Sequence, residues 1–236
     1  MNLEDIKHNW SEITNIVRQK TLSIGRNPDD IKIVSVSKTH PAEVVKCGLE
    51  AGIRIFGENY AQELIEKHDF FQNSEVQPEW HFIGHLQTNK VKYIAPYISM
   101  IHSVDSVHLA EEIGKQALRN NRTIDILLQV NTSDEDSKSG CEPEGIFSLY
   151  ESAKKIEGIE IKGLMTIGSF SYDENIFRAE FKLLTELLKE LNIRFPEASL
   201  KELSMGMSGD FETAIEEGAT FVRIGSAIFG ARSYTN

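Results

Sequence analysis

A lysine at the end of an apolar, β-branched run is the first residue able to do chemistry. IVSVSKTHP places Lys38 where a strand from Ile31 to Val36 would end. Apolar surroundings disfavour the ammonium form, lower the pKa and favour the neutral amine that attacks carbonyls, a Schiff-base reading. The same placement suits a lysine snorkelling to solvent. After Glu202-Leu203-Ser204 comes MGMSGD, where Ser208 and Gly209 open a helix containing Ala214 and Ile215; after Phe221 to Ile224 comes Gly225-Ser226-Ala227, opening the final helix. Either loop alone reads as a Gly/Ser cap. Together, after strands seven and eight of a barrel, their free amides suit a phosphate dianion. In FVRIG, Arg223 shares its parity with Phe221 and Gly225, so it faces away from the side occupied by Val222 and Ile224. An inward guanidinium needs an acceptor, which either a structural ion pair or a ligand would supply. A reactive lysine, a phosphate cradle and a nearby arginine together describe pyridoxal 5′-phosphate, through its aldehyde, phosphate and pyridine nitrogen. An arginine at that nitrogen keeps it unprotonated and weakens the ring as an electron sink, which disfavours carbanion chemistry.

The elements that must position these residues alternate regularly. Leu3, Ile6, Trp10, Ile13 and Val17 form one apolar stripe on a helix that Gly25 and Pro28 stop. Strands follow at Ile31 to Val36, Arg54 to Phe56, Trp80 to Ile83, Met100 to Val104, Ile124 to Val130, Ile161 to Met165, Glu202 to Ser204 and Phe221 to Ile224. Every crossover is long enough for a helix, as parallel pairing requires. Helix signals fit the gaps: Pro41 after Thr39, Ser106 ahead of Leu109 and Ile113, Pro143 ahead of Ile146, Leu149 and Ile156, and a longest stretch from Ile176 to Leu191. Eight alternating units predict an α/β fold, a (β/α)8 TIM barrel in a single domain over residues 1–236, with an N-terminal helix over 1–24 and the barrel over 31–236. An open doubly wound sheet is the competing topology. No Gly-x-Gly-x-x-Gly follows the first strand, so a dinucleotide site has no support.

Composition narrows the function. Lys plus Arg number 25 against 36 Asp plus Glu, a formal charge of −11, the wrong sign for gripping nucleic-acid backbones or anionic membranes. No apolar run approaches the ~20 residues of a membrane span, and MNLEDIKHNW has acids where a signal peptide needs basic then apolar residues. The expected location is the cytoplasm. Cys47 and Cys141 are far apart, with no metal spacing and no disulfide framework. His81 lies in a strand and cannot share a face with His85, so no metal is expected. Trp80 and Phe82 are expected in the core.

Several motifs in order carry a resemblance over essentially the whole chain: VSVSKTHP around Lys38, FGENYAQE around Asn59, WHFIGHLQTNK from Trp80 to Lys90, NTSDEDSKSG around Lys138, GLMTIG from Gly163, LSMGMSGDFETAI from Leu203 and VRIGSAIFG from Val222. The sequence resembles the YggS/PROSC family of pyridoxal phosphate homeostasis proteins, themselves similar to the barrel domain of bacterial alanine racemase. The resemblance implies Lys38 as the imine lysine carrying pyridoxal 5′-phosphate covalently, and Arg223 at the pyridine nitrogen. It further implies phosphate held by Ser208, Gly209, Gly225 and Ser226, with Asn59 near the ring. His40 falls within the family's variation. Lys138 is either a solvated loop charge or a second amine near the cofactor. The implied function is a monomeric, non-catalytic carrier that releases or transfers the cofactor, with pyridoxal-phosphate-dependent apoenzymes as partners. An amino-acid racemase is the first alternative; the chain ends about a dozen residues after strand eight, leaving no room for a further β-domain to supply a second base. A cofactor-free Schiff-base aldolase is the second.

Overall fold

A computed structural model describes residues 2–133, 139–169, 171 and 173–230. The N-terminal helix α1 (Leu3–Ser23) starts at a reciprocal cap: Asn2 Oδ1 accepts from the Asp5 N–H, and the Asn2 N–H donates to the Asp5 carboxylate. It ends before Gly25, whose φ of +74° few other residues tolerate. Then β1 (Lys32–Val36), β2 (Ile55–Glu58), β3 (Glu79–Phe82), β4 (Met100–Val104), β5 (Ile124–Gln129), β6 (Ile159–Met165), β7 (Glu202–Ser204) and β8 (Phe221–Ile224) pair in chain order as a closed parallel barrel. The seam is in register, Lys32 opposite Phe221 and Val34 opposite Arg223. All eight expected strands are present. The largest departure is β2, which runs on through Glu58 because β3 offers pairing there, Glu58 opposite Phe82.

Helices α2 (Ala42–Glu50), α3 (Ala61–Phe71), α4 (Thr88–Ile94), α5 (Val107–Arg119), α6 (Ile146–Ala153), α7 (Glu174–Arg194), α8 (Phe211–Glu216) and α9 (Ser226–Phe229) surround the barrel. Pro143 opens a 3₁₀ turn ahead of α6, which ends before Ile156. Strand parity splits the core in two. Outward residues such as Phe56, Trp80, Phe82, Val222 and Ile224 pack with the helices, while Val34, Ile83, Met100, Leu127, Met165 and Phe221 fill the barrel interior. Arg223, His81 and His102 share that interior and are buried.

One expectation needs correction. Ser208 and Gly209 do not open a helix; they lie in a turn, and α8 begins two residues later with Asp210 at its cap position. The Met207 N–H donates to Asp210 Oδ1 at 2.5 Å, so the segment folds into a side-chain-closed turn before helix geometry can start.

Candidate functional site

Lys38 lies two residues beyond β1, at the C-terminal mouth where barrel enzymes keep their chemistry. It is half-buried, and its flanks are pinned. Ser37 Oγ donates to Glu58 Oε1 at 2.6 Å, and Lys67 Nζ from α3 donates to the same oxygen at 2.6 Å and to the Ser37 carbonyl at 2.8 Å. Thr39 adopts a left-handed φ of +67°, a conformation costing a β-branched residue roughly 1–2 kcal/mol. Its N–H donates to Glu63 Oε2 at 2.7 Å, and Lys67 reaches the same carboxylate at 3.5 Å. A buried ion pair thus anchors the turn that presents Lys38. Glu58 and Lys67 are 0% and 4% exposed. Burial holds the Glu58 carboxyl above the usual range, with the Lys67 charge and the hydrogen bonds opposing it.

Asn59 follows Glu58 at the end of β2, and its Oδ1 is buried with no hydrogen-bond partner among the described residues. Gly84 faces it so closely that a β-carbon would come within 2.6 Å of the Asn59 Cα, so only glycine fits there.

The loops after β7 and β8 are joined, because the Gly225 N–H donates to Ser208 Oγ at 3.3 Å. A β-carbon on Gly225 would lie 3.1 Å from the Val36 carbonyl oxygen, which sets this loop against the strand end leading to Lys38. No atom of the described residues lies within 4 Å of the β-carbon position on Gly209. Among the described residues, the N–H groups of Ser208, Gly209 and Ser226 have no acceptor within the protein. Helices α8 and α9 have only 6 and 4 residues, so these amides matter more than any macrodipole.

Arg223 projects into the barrel. Nη1 donates to Ser204 Oγ at 2.8 Å and Nη2 to the Thr166 carbonyl at 2.7 Å. Burial pushes its pKa down to about 10, opposed by the Asp210 carboxylate; it remains a cation at neutral pH. No carboxylate lies within ion-pair distance of it among the described residues, so the structural ion pair left open by the sequence is not what holds it. A buried cation whose hydrogen bonds, among the described residues, go to neutral oxygens is poised for a further acceptor.

Lys38, Asn59, Ser208, Gly209, Arg223, Gly225 and Ser226 therefore all come from the ends of β1, β2, β7 and β8, adjacent strands around the barrel. Lys138 lies outside the described residues. His85 is exposed and 4.0 Å from Asp105, Trp80 and Phe82 are in the core, and no group of three metal-ligating side chains occurs among the described residues. Both cysteines are free thiols. Glu58, Lys67, Ser204 and Thr166 escaped the sequence reading. Glu58 carries the signal that exposed Lys38, a charge closing an apolar strand, but strand two was ended at Phe56.

The residues present fit an anionic aldehyde with a basic ring: free amides for the anion, a lysine for the carbonyl, a buried cation and an orphaned amide oxygen for the ring. A closed parallel barrel with a lysine after its first strand and paired small-residue loops after its last two defines a barrel of the alanine racemase N-terminal type. Residues 1–233 match the family model "Alanine racemase, N-terminal domain". The chain is 43% identical over 210 residues, 89% of its length and 91% of the relative's, to the pyridoxal phosphate homeostasis protein of Aquifex aeolicus. It belongs to the family of pyridoxal phosphate homeostasis proteins. Among solved structures, PipY of Synechococcus elongatus PCC7942 with PLP bound is 32% identical at a TM-score of 0.81, over 91% of this chain and 100% of that one. The alanine racemase of Clostridium difficile 630 shares the fold at 16% identity and a TM-score of 0.77, over 100% of this chain and 58% of that one.

Proposed function

We propose that this protein binds pyridoxal 5′-phosphate covalently on Lys38, keeps it in reserve and gives it up to apoenzymes that depend on it. The observation that carries this reading is the joined pair of loops. Gly225, tied to Ser208, rests on Val36, so anion-binding amides and the amine of Lys38 belong to one surface. Ser208, Gly209, Gly225 and Ser226 hold the phosphate, Asn59 borders the ring and Arg223 faces its nitrogen. The names of the relatives and the PLP-bound PipY structure support the choice of ligand.

When bound, the cofactor supplies a carbonyl that exchanges between amines. Lys38 contributes the amine, and the Ser37–Glu58–Lys67 anchor keeps it at the mouth, where an incoming amine can displace it. Arg223, still protonated at neutral pH, donates to the ring nitrogen and leaves it without a proton of its own. Ring stabilisation of a carbanion is therefore weak, and we read the protein as a monomeric cytoplasmic carrier without turnover. Borohydride reduction and peptide mapping should place the adduct on Lys38, with a yellow protein before reduction. Label on other lysines alone would refute the assignment, and a colourless protein that forms adducts with substrate carbonyls would restore the aldolase. Deuterium exchange at the α-carbon of a panel of amino acids at roughly 1 per second or faster, typical of enzymes, would restore the racemase.

A further inference from the structure

A line of polar side chains crosses the barrel interior behind Arg223. Ser204 Oγ, which accepts from Arg223 Nη1, also contacts His102 Nδ1 at 2.9 Å. His102 Nε2 lies 2.9 Å from His81 Nδ1, and His81 Nε2 lies 3.1 Å from Glu79 Oε1 at the opposite mouth of the barrel. Phe221 packs against both imidazoles, with ring centroids 5.7 and 5.3 Å away. His102 is fully buried, and burial, His81 and Arg223 together hold its pKa well below the ordinary histidine value. Glu79, half exposed, is kept a carboxylate by its bond to His81.

With both imidazoles neutral, these contacts fix the direction of every bond. A carboxylate only accepts, so His81 carries its proton on Nε2, and in neutral His81 Nδ1 is an acceptor. His102, with a single proton, must then donate from Nε2, which leaves its Nδ1 to accept from the Ser204 hydroxyl. That hydroxyl has one hydrogen. Once it is committed to His102, the serine lone pairs turn to the guanidinium, a pure donor. The chain runs one way, from Arg223 through Ser204, His102 and His81 to Glu79.

We infer that His102, backed by His81 and Glu79, is a positioning residue: it orients Ser204 so that Arg223 is held in the posture that meets the ring nitrogen. This rests on the proposed placement of Arg223 at that nitrogen. With another residue at position 102, the Ser204 hydroxyl is free to rotate its hydrogen toward the guanidinium and release it. Such a loss affects the ring nitrogen contact and spares the phosphate loops.

Two measurements test the inference. Side-chain NMR of the unaltered protein, labelled at histidine and held near pH 8, should show His102 and His81 both protonated on Nε2 alone; a proton on His102 Nδ1 overturns the chain. Affinities are then compared for pyridoxal 5′-phosphate and for its analogue with C–H in place of the ring nitrogen. His102→Leu should weaken binding of the cofactor about ten-fold, the size of one well-placed charged hydrogen bond, and of the analogue less than two-fold. His102→Asn, which keeps an acceptor for Ser204, should recover most of the loss. Equal losses for both compounds overturn the inference. Equal affinity of the unaltered protein for both removes Arg223 from the ring nitrogen and the inference with it, while the imine and phosphate assignments stand. Should His102→Leu not fold, the tautomers of the unaltered protein decide alone.

Discussion

Lys67→Met removes the cation from the buried pair beneath Lys38 and leaves Glu58, fully buried, with the Ser37 hydroxyl as its remaining donor. Breaking a buried pair from one side costs about 3–5 kcal/mol, which for a chain of 236 residues corresponds to a fall in Tm of roughly 6–20 °C. The pH dependence follows from the surviving carboxyl. Burial already raises its pKa and Lys67 opposes the rise, so in the variant the folded pKa climbs further. A group whose folded pKa lies above the unfolded value of about 4.3 gives stability that is full below that value and is lost as pH rises through the folded pKa. The variant's deficit against the parent should therefore be small near pH 5 and full near pH 8. Denaturant unfolding followed by circular dichroism at both pH values measures it. Adding Glu58→Gln, which removes the charge and can still accept from Ser37, should recover more than half of the loss at pH 8. A loss below about 1 kcal/mol at pH 8, an equal loss at both pH values, or no recovery in the double variant would refute the claim that charge burial supports this turn.

Gly225→Val should weaken binding of pyridoxal 5′-phosphate far more than of unphosphorylated pyridoxal, because its side chain crowds the Val36 carbonyl and the joined loops; equal losses in a fluorescence titration would count against the phosphate site. Cys141, half-buried, with its thiol pushed up to about 12 by burial, should stay almost unalkylated by iodoacetamide in the native protein at pH 8, since the thiolate is the nucleophile; labelling within minutes, read by mass spectrometry, would contradict the raised thiol pKa.

The barrel was legible because its signals are local. Each strand is a short apolar run bounded by breakers, and parity within FVRIG sends Arg223 inward in the structure as in the sequence. The helix expected at Ser208 failed for an equally local reason, since Asp210 captures the Met207 amide and delays α8. The polar contacts were not legible, because they join residues distant in the chain. His102 meets Ser204 across 102 positions, and Arg223 meets Thr166 across 57. Nothing in MIHSV distinguishes a histidine in a hydrogen-bonded line from one packed against Phe221. Lys67 was hidden in a different way: on a helix, a lysine reads as a solvated charge until the facing strand is known to end in Glu58.

The seam between β1 and β8 has a consequence for synthesis. Lys38 and Gly225 belong to one surface, yet a ribosome adding about 5–20 residues per second needs on the order of ten to forty seconds to pass from one to the other. Over that interval α1 also waits for its partners, because Asn9 Nδ2 donates to the Ile228 carbonyl, and Arg26 to the carbonyls of Ile215 and Ala219. On the proposed assignment, the nascent chain would expose the Lys38 amine long before it owns the loops that hold the phosphate. A chain aborted before β8 should then capture the aldehyde no better than free lysine does, and tight retention of the cofactor would certify that translation and ring closure are both complete.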